Sequence, residues 1–156
     1  MPRRLTLLLV LGLFCNSAGA ATPGVTVQRV KGGYDDVKER IVMAIENRGL
    51  VLNFTARVGE MLERTGKDIG SPSQVYARAE VLEFCSAALS RKSMQADPHN
   101  IVFCPYAIAI YMLPGETDGV YIAYRKPPAQ GPGPASRSLR EVGQLLDAIV
   151  REALKP

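Results

Sequence analysis

The chain has 156 residues, 47% of them hydrophobic and 22% charged, with 19 Lys and Arg against 15 Asp and Glu for a net charge of +4. That length favours one domain over several, and the charge is too small for the electrostatic footprint of a nucleic-acid binder. The run of about ten apolar or small residues from Leu5 to Phe14 is about half of what a membrane-spanning helix needs.

Residues 1–20 read as a secretory leader. Arg3 and Arg4 supply a cationic start, Leu5 to Phe14 an apolar core and Ala18-Gly19-Ala20 a small-residue cleavage pattern, with the cut after Ala20. A lipoprotein signal using Cys15 and a twin-arginine signal using Arg3-Arg4 are weaker variants, because Phe14 precedes the cysteine and the core is Leu-rich. Export predicts a periplasmic or secreted protein that meets a membrane only in transit. Two arginines leave with the leader, lowering the net charge from +4 to +2.

The mature chain opens on an alternating β-branched run, Val25 to Val30, which predicts a strand. Gly32-Gly33 then leads into a helix from Tyr34 to Arg48, with Val37, Ile41, Ala44 and Ile45 on one face, Asp35-Asp36 at its N-terminus and Gly49 as its stop. A strand over Leu50 to Val58 follows, then a short helix over Glu60 to Asp68 with Met61, Leu62 and Thr65 inward. Ser71-Pro72-Ser73 is a loop. Ala77 to Cys85 predicts a strand, Ser86 to Gln95 a helix, and Asp97-Pro98-His99-Asn100 a turn.

Ile101 to Leu113 is the most apolar stretch of the mature chain and reads as a strand covered on both faces, with an edge or bulge at Pro105. Pro114 to Gly119 turns it back into Val120 to Arg125 as a hairpin. Residues 127–137, rich in Pro and Gly, form a linker. A capping box at Ser138-Leu139-Arg140-Glu141 starts a closing amphipathic helix over 138–156, on which Leu139, Val142, Leu146, Ile149 and Ala153 share a face. The organisation is therefore leader 1–20, α+β domain 21–126, linker 127–137 and docked helix 138–156. The fold class is a two-layer sandwich, a twisted mixed sheet of about five strands with helices on one face.

Two short phrases, Val81-Leu82-Glu83-Phe84-Cys85-Ser86 and Phe103-Cys104-Pro105-Tyr106, together with the opening helix ending in Arg48-Gly49 and the Val120–Pro127 strand, resemble the domain of unknown function 302 family. The resemblance covers about Val25 to Pro127 and the closing helix; the Pro/Gly linker departs from it. It implies the same two-layer α+β fold and a homo-oligomer. It implies no activity, cofactor or catalytic residue.

The residues that could carry chemistry are few. Loss of Cys15 leaves Cys85 and Cys104, whose bridge would close a loop of about 20 residues and add about 3 kcal/mol in the chain-entropy picture. Buried thiols packed as small hydrophobes, or a redox or ligand-binding pair, are the alternatives. The single histidine, His99, lies in a turn; no nucleophile elbow, phosphate loop, dinucleotide fingerprint or short Cys-x-x-Cys spacing is present, so neither cofactor nor metal is expected. Glu80 and Glu83 face opposite sides of one strand.

Tyr76, Tyr106, Tyr111, Tyr121 and Tyr124 cluster on the later strands, where phenol rings could line an apolar pocket. The leading expectation is a non-enzymatic binding or assembly module, with Tyr106, Tyr111, Tyr121 and Tyr124 on the surface built from residues 101–113. Its partner is a small apolar ligand, a second copy in a homodimer or a periplasmic protein. The alternative is a thiol-redox or metal-handling protein that uses Cys85 and Cys104.

Overall fold

A computed structural model describes residues 22–155; the leader at 1–20, with Cys15, lies outside them. The described chain runs β1 (Val25–Lys31), α1 (Tyr34–Glu46), β2 (Val51–Ala56), α2 (Val58–Asp68), β3 (Arg78–Cys85), α3 (Ala87–Ala96), a 3-10 turn (Pro98–Phe103), β4 (Tyr106–Met112), β5 (Gly119–Arg125) and α4 (Pro134–Ala153). It is an α+β fold with one five-stranded sheet in the order β1-β5-β4-β3-β2.

Every neighbouring pair in that sheet is antiparallel, where the sequence reading had a mixed sheet. The helical connections explain the difference. The segment containing α2 leaves β2 at Ala56 and re-enters β3 close to Val81, its partner across the ladder, and the segment containing α3 leaves after Phe84 and returns at Tyr106, again its partner. A connection that comes back at the end it left reverses the strand direction, so neither helix makes the parallel crossover that alternating strands and helices suggest.

Period-two alternation assigns the two faces. Leu82 and Phe84 of β3, Ile108 and Ile110 of β4, and Val120 and Ile122 of β5 are fully buried under α1 and α4. From α1 come Val37, Ile41, Ala44 and Ile45, as the helical spacing predicts, and from α4 Val142, Leu146, Ile149 and Val150. Gly49, at φ +67°, turns the chain out of α1 in the left-handed conformation that a side chain rarely adopts. A polar cross-link sits at the edge of this core: the Tyr34 hydroxyl donates to Glu80 Oε2 at 3.0 Å and to the Ile110 carbonyl at 3.2 Å, while Lys38 Nζ stands 2.8 Å from the same carboxylate. Burial opposes ionisation of Glu80, but the Lys38 ammonium and the Tyr34 hydroxyl outweigh it and hold the carboxyl below its usual range.

Three elements depart from the sequence reading. Ile101 to Phe103 belong to the 3-10 turn, not to a strand: Asp97 Oδ1 accepts the His99 N–H at 2.9 Å, Pro98 occupies the first turn, and the ladder with β3 starts only after Pro105, at Tyr106. The closing helix starts at Pro134, whose fixed φ suits a first helical position, so Ser138 is not a cap but a buried residue of the helix whose Oγ donates to the Ala135 carbonyl at 2.7 Å. No residue of α2 is fully buried, and Met61 is exposed.

Two glycines test how the helices lie on the sheet. A Cβ on Gly59 of α2 would meet the Ala79 backbone nitrogen at 2.9 Å and its carbonyl oxygen at 3.4 Å, so α2 would have to lift from β3. Gly59→Ala is expected to cost about 1–2 kcal/mol by urea denaturation. A Cβ on Gly143 of α4 meets nothing nearer than Lys126 Cδ at 3.7 Å. Gly143→Ala is therefore expected to stabilise the fold by about 0.5–1 kcal/mol through helix propensity, and a loss of stability there would contradict the packing described.

Candidate binding face

The other face of the sheet carries no helix layer comparable to α1 and α4, and its central row is small. Val27 pairs with Ala123, Ala123 with Ala109, Ala109 with Val81 and Val81 with Ala56, so one line of short apolar side chains crosses all five strands. Short residues between taller neighbours make a trough.

One bank of the trough is aromatic. Tyr111 and Tyr121 are paired across β4 and β5 and stack with centroids 5.1 Å apart and planes 9° from parallel; Tyr76 meets Tyr111 edge-on at 5.3 Å. Arg29 lies over Tyr121 at 5.9 Å and is held by Glu116, whose Oε2 accepts from Arg29 Nε and Nη2 at 3.2 and 3.0 Å, while Glu116 Oε1 accepts from the Tyr121 hydroxyl at 2.8 Å. The bank is thus a fixed set of ring faces and edges.

At the other side the trough deepens into a cleft of about 360 Å³ between the ends of β4 and β5. Pairing of these strands stops at Ile108 and Tyr124, and the 3-10 turn and the Pro127-Pro128 segment flank the opening. Ala107, Ala109 and Ala123 lie along it, Val102, Phe103 and Pro105 make one wall, and Arg125 and Lys126 stand on the other side. Lys126 is paired with Asp147 at 2.8 Å.

The four tyrosines singled out from the sequence do not share one surface. Tyr111 and Tyr121 are on the open face; Tyr106 and Tyr124 have the opposite parity and are buried, 4% exposed each, where they reach only the inner end of the cleft. The Tyr124 hydroxyl donates to Asp147 Oδ1 at 2.6 Å, and Tyr106 shares a 3.2 Å hydrogen bond with Ser90 Oγ. Burial, then the Asp147 carboxylate, pushes the Tyr124 phenol up to about 12.

Cys85 and Cys104 come together: their Sγ atoms stand 2.7 Å apart, with Ser90 Oγ 3.6 Å from Cys104 Sγ. Both are free thiols in this structure and half-buried. Burial, and then the neighbouring Cys104 sulfur, pushes the Cys85 thiol up to about 11, opposite to the direction that makes a nucleophilic cysteine. Among the described residues no three His, Cys, Asp or Glu side chains converge as a metal site would require.

Sequence reasoning missed the alanine floor and Arg29. Parity alone could have separated Tyr111 and Tyr121 from Tyr106 and Tyr124, since the first two alternate with the isoleucines of β4 and β5. The floor depends on cross-strand register, which no local pattern carries.

A single antiparallel sheet with two long helices on one face and an apolar trough on the other defines a small two-layer α+β domain. The chain matches the family described as Domain of unknown function DUF302 over residues 25–153, and it belongs to that family. Among solved structures it is similar to the uncharacterized conserved protein DUF302 from Bacillus stearothermophilus, at 16% identity and a TM-score of 0.67, over 85% of this chain and 99% of that one. No curated protein matches it.

The Tyr124 contact has a measurable pH signature. A phenol whose folded value is raised from 10 to about 12 adds stability that is complete below pH 10 and is lost as pH climbs through 12. Tyr124→Phe is expected to cost about 1 kcal/mol at pH 7 and to close the gap to the parent chain above pH 10, read from urea midpoints across that range. A gap that stays constant with pH would remove the Tyr124–Asp147 assignment.

Proposed function

We propose that this protein is a small exported, non-enzymatic binding module that holds an apolar small molecule in the trough and its cleft. The observation that carries the reading is the row Val27, Ala123, Ala109, Val81 and Ala56. A sheet face that needed only solvent would carry long polar side chains here; a floor of alanines leaves room one side chain deep. The cleft's volume of about 360 Å³ lies in the range of small-molecule sites, which pair apolar walls with a few polar groups. Here the walls are Val102, Phe103 and Pro105, the polar group at the opening is Arg125, and along the adjoining trough ring stacking at Tyr111 and Tyr121 fixes the bank without loss of side-chain freedom on binding.

The alternative, a thiol-cycling or metal-handling protein at Cys85 and Cys104, is the weaker reading. A thiol held near 11 carries little thiolate at neutral pH, and the thiolate is the form that attacks and ligates.

Native mass spectrometry of the protein purified from its own cells reads retained molecules, subunit number and leader removal together. A bound small molecule is expected, lost on mild heating. In parallel, 1-anilinonaphthalene-8-sulfonate titrated into the folded chain is expected to bind, and Ala109→Leu with Ala123→Leu, which fills the floor, is expected to weaken it at least about tenfold, with the far-UV spectrum unchanged. Equal probe binding by parent and filled variant would sink the proposal.

A further inference from the structure

We propose that Cys85 and Cys104 are a modification site at which the chain closes an intramolecular disulfide, and that this bond locks the 3-10 turn as the fixed wall of the cleft. The inference goes beyond ligand binding and stands without it.

Three observations meet here. The two sulfurs are in direct contact, although one belongs to the last residue of β3 and the other to the residue that follows the 3-10 turn. The wall they would anchor is weakly held. The ladder between β3 and β4 begins only at Phe84 and Tyr106, and Pro105 has no N–H to extend it. Beyond its own internal turns, the 3-10 segment is tied by the buried Asn100, whose Nδ2 donates to the Ser93 carbonyl at 3.1 Å. Next to it Ile101 and Val102 are 61% and 74% exposed. Finally, Cys104 is flanked by Phe103 and Pro105, both of which line the cleft, so a bond at its sulfur acts directly on that wall.

The chemistry balances as a thiol–disulfide exchange. One protein thiolate attacks the disulfide of an exchange partner, a protein or a small molecule such as oxidised glutathione, and expels one partner thiolate. The second protein thiol loses its proton and attacks the mixed disulfide, forming the Cys85–Cys104 bond and releasing the second partner thiol. Two S–H bonds are lost and one S–S bond is formed in the protein, and the partner disulfide is reduced to two thiols. Both sulfurs are half-buried, which limits the access of outside thiols to the bond once it is made.

The test equilibrates the purified chain with a mixture of oxidised and reduced glutathione, unfolds it in denaturant with an alkylating agent, and measures the intact mass. The expected result is no alkylated cysteine at 85 or 104 and a monomer lighter than the dithiol by two hydrogens. The oxidised chain should also be cleaved by chymotrypsin at Phe103 about tenfold more slowly than the reduced chain, and should melt about 10 °C higher. The double variant Cys85→Ala with Cys104→Ala should be cut at one rate whether or not oxidant is present. Two labelled thiols after equilibration, a persistent mixed disulfide or a covalent dimer would each overturn the proposal. A disulfide that leaves cleavage at Phe103 unchanged would overturn the locked wall. The oxidised and reduced parent chains decide both points even if the variant fails to fold, and none of these readouts involves a ligand, so failure of the binding reading is seen separately.

Discussion

Ile108, Ile110, Val120 and Ile122 have to lie on one side of β4 and β5, because only there do α1 and α4 exclude water from them. Strand pleating then places Ala107, Ala109, Tyr111, Tyr121 and Ala123 on the opposite side, whatever else those residues do. A slip of one residue in either strand would expose isoleucines and bury tyrosine hydroxyls, so the register of the central hairpin is fixed by burial on one face and in turn fixes the arrangement on the other. The stacked tyrosines and the alanine floor are held in place by a core they do not touch.

The layers have different roles for the same reason. The helical side concentrates the large apolar side chains and pairs two of its phenols with carboxylates, Tyr34 with Glu80 and Tyr124 with Asp147. The open side has small residues in its centre and charged or aromatic ones at its margins, Arg29 at one end and Arg125 at the other. For the proposed guest, rigid walls around a low floor would lower the ordering cost of binding.

Much of this was legible in the sequence and some was not. The buried face of α1 follows from the spacing of Val37, Ile41, Ala44 and Ile45, and the β4–β5 hairpin from the Pro114–Gly119 turn chemistry. The resemblance read at Val81–Ser86 and Phe103–Tyr106 named the family that the full match shows. The apolar run at 101–105 has no period that distinguishes a strand from the 3-10 turn ending at Phe103; the Asp97 cap and the missing Pro105 N–H decide it. The capping-box pattern at Ser138 is a local signal, whereas Pro134 begins the helix and tertiary packing buries Ser138. The all-antiparallel sheet depends on where each connection returns, and the trough on register across five strands; both are long-range properties that a linear pattern does not encode.

The irregularity in β2 has a consequence of its own. Val51 and Phe54 are 69% and 60% exposed on the outermost strand, and the pairing with β3 shifts between Leu52 and Phe54. A straight, greasy border of this kind would offer its free amides and carbonyls to any neighbouring chain and grow by stacking strand on strand. The extra residue, Asn53, kinks that border and puts its hydrogen-bonding groups out of step. The molecule can keep apolar residues at its rim without becoming the seed of a fibre.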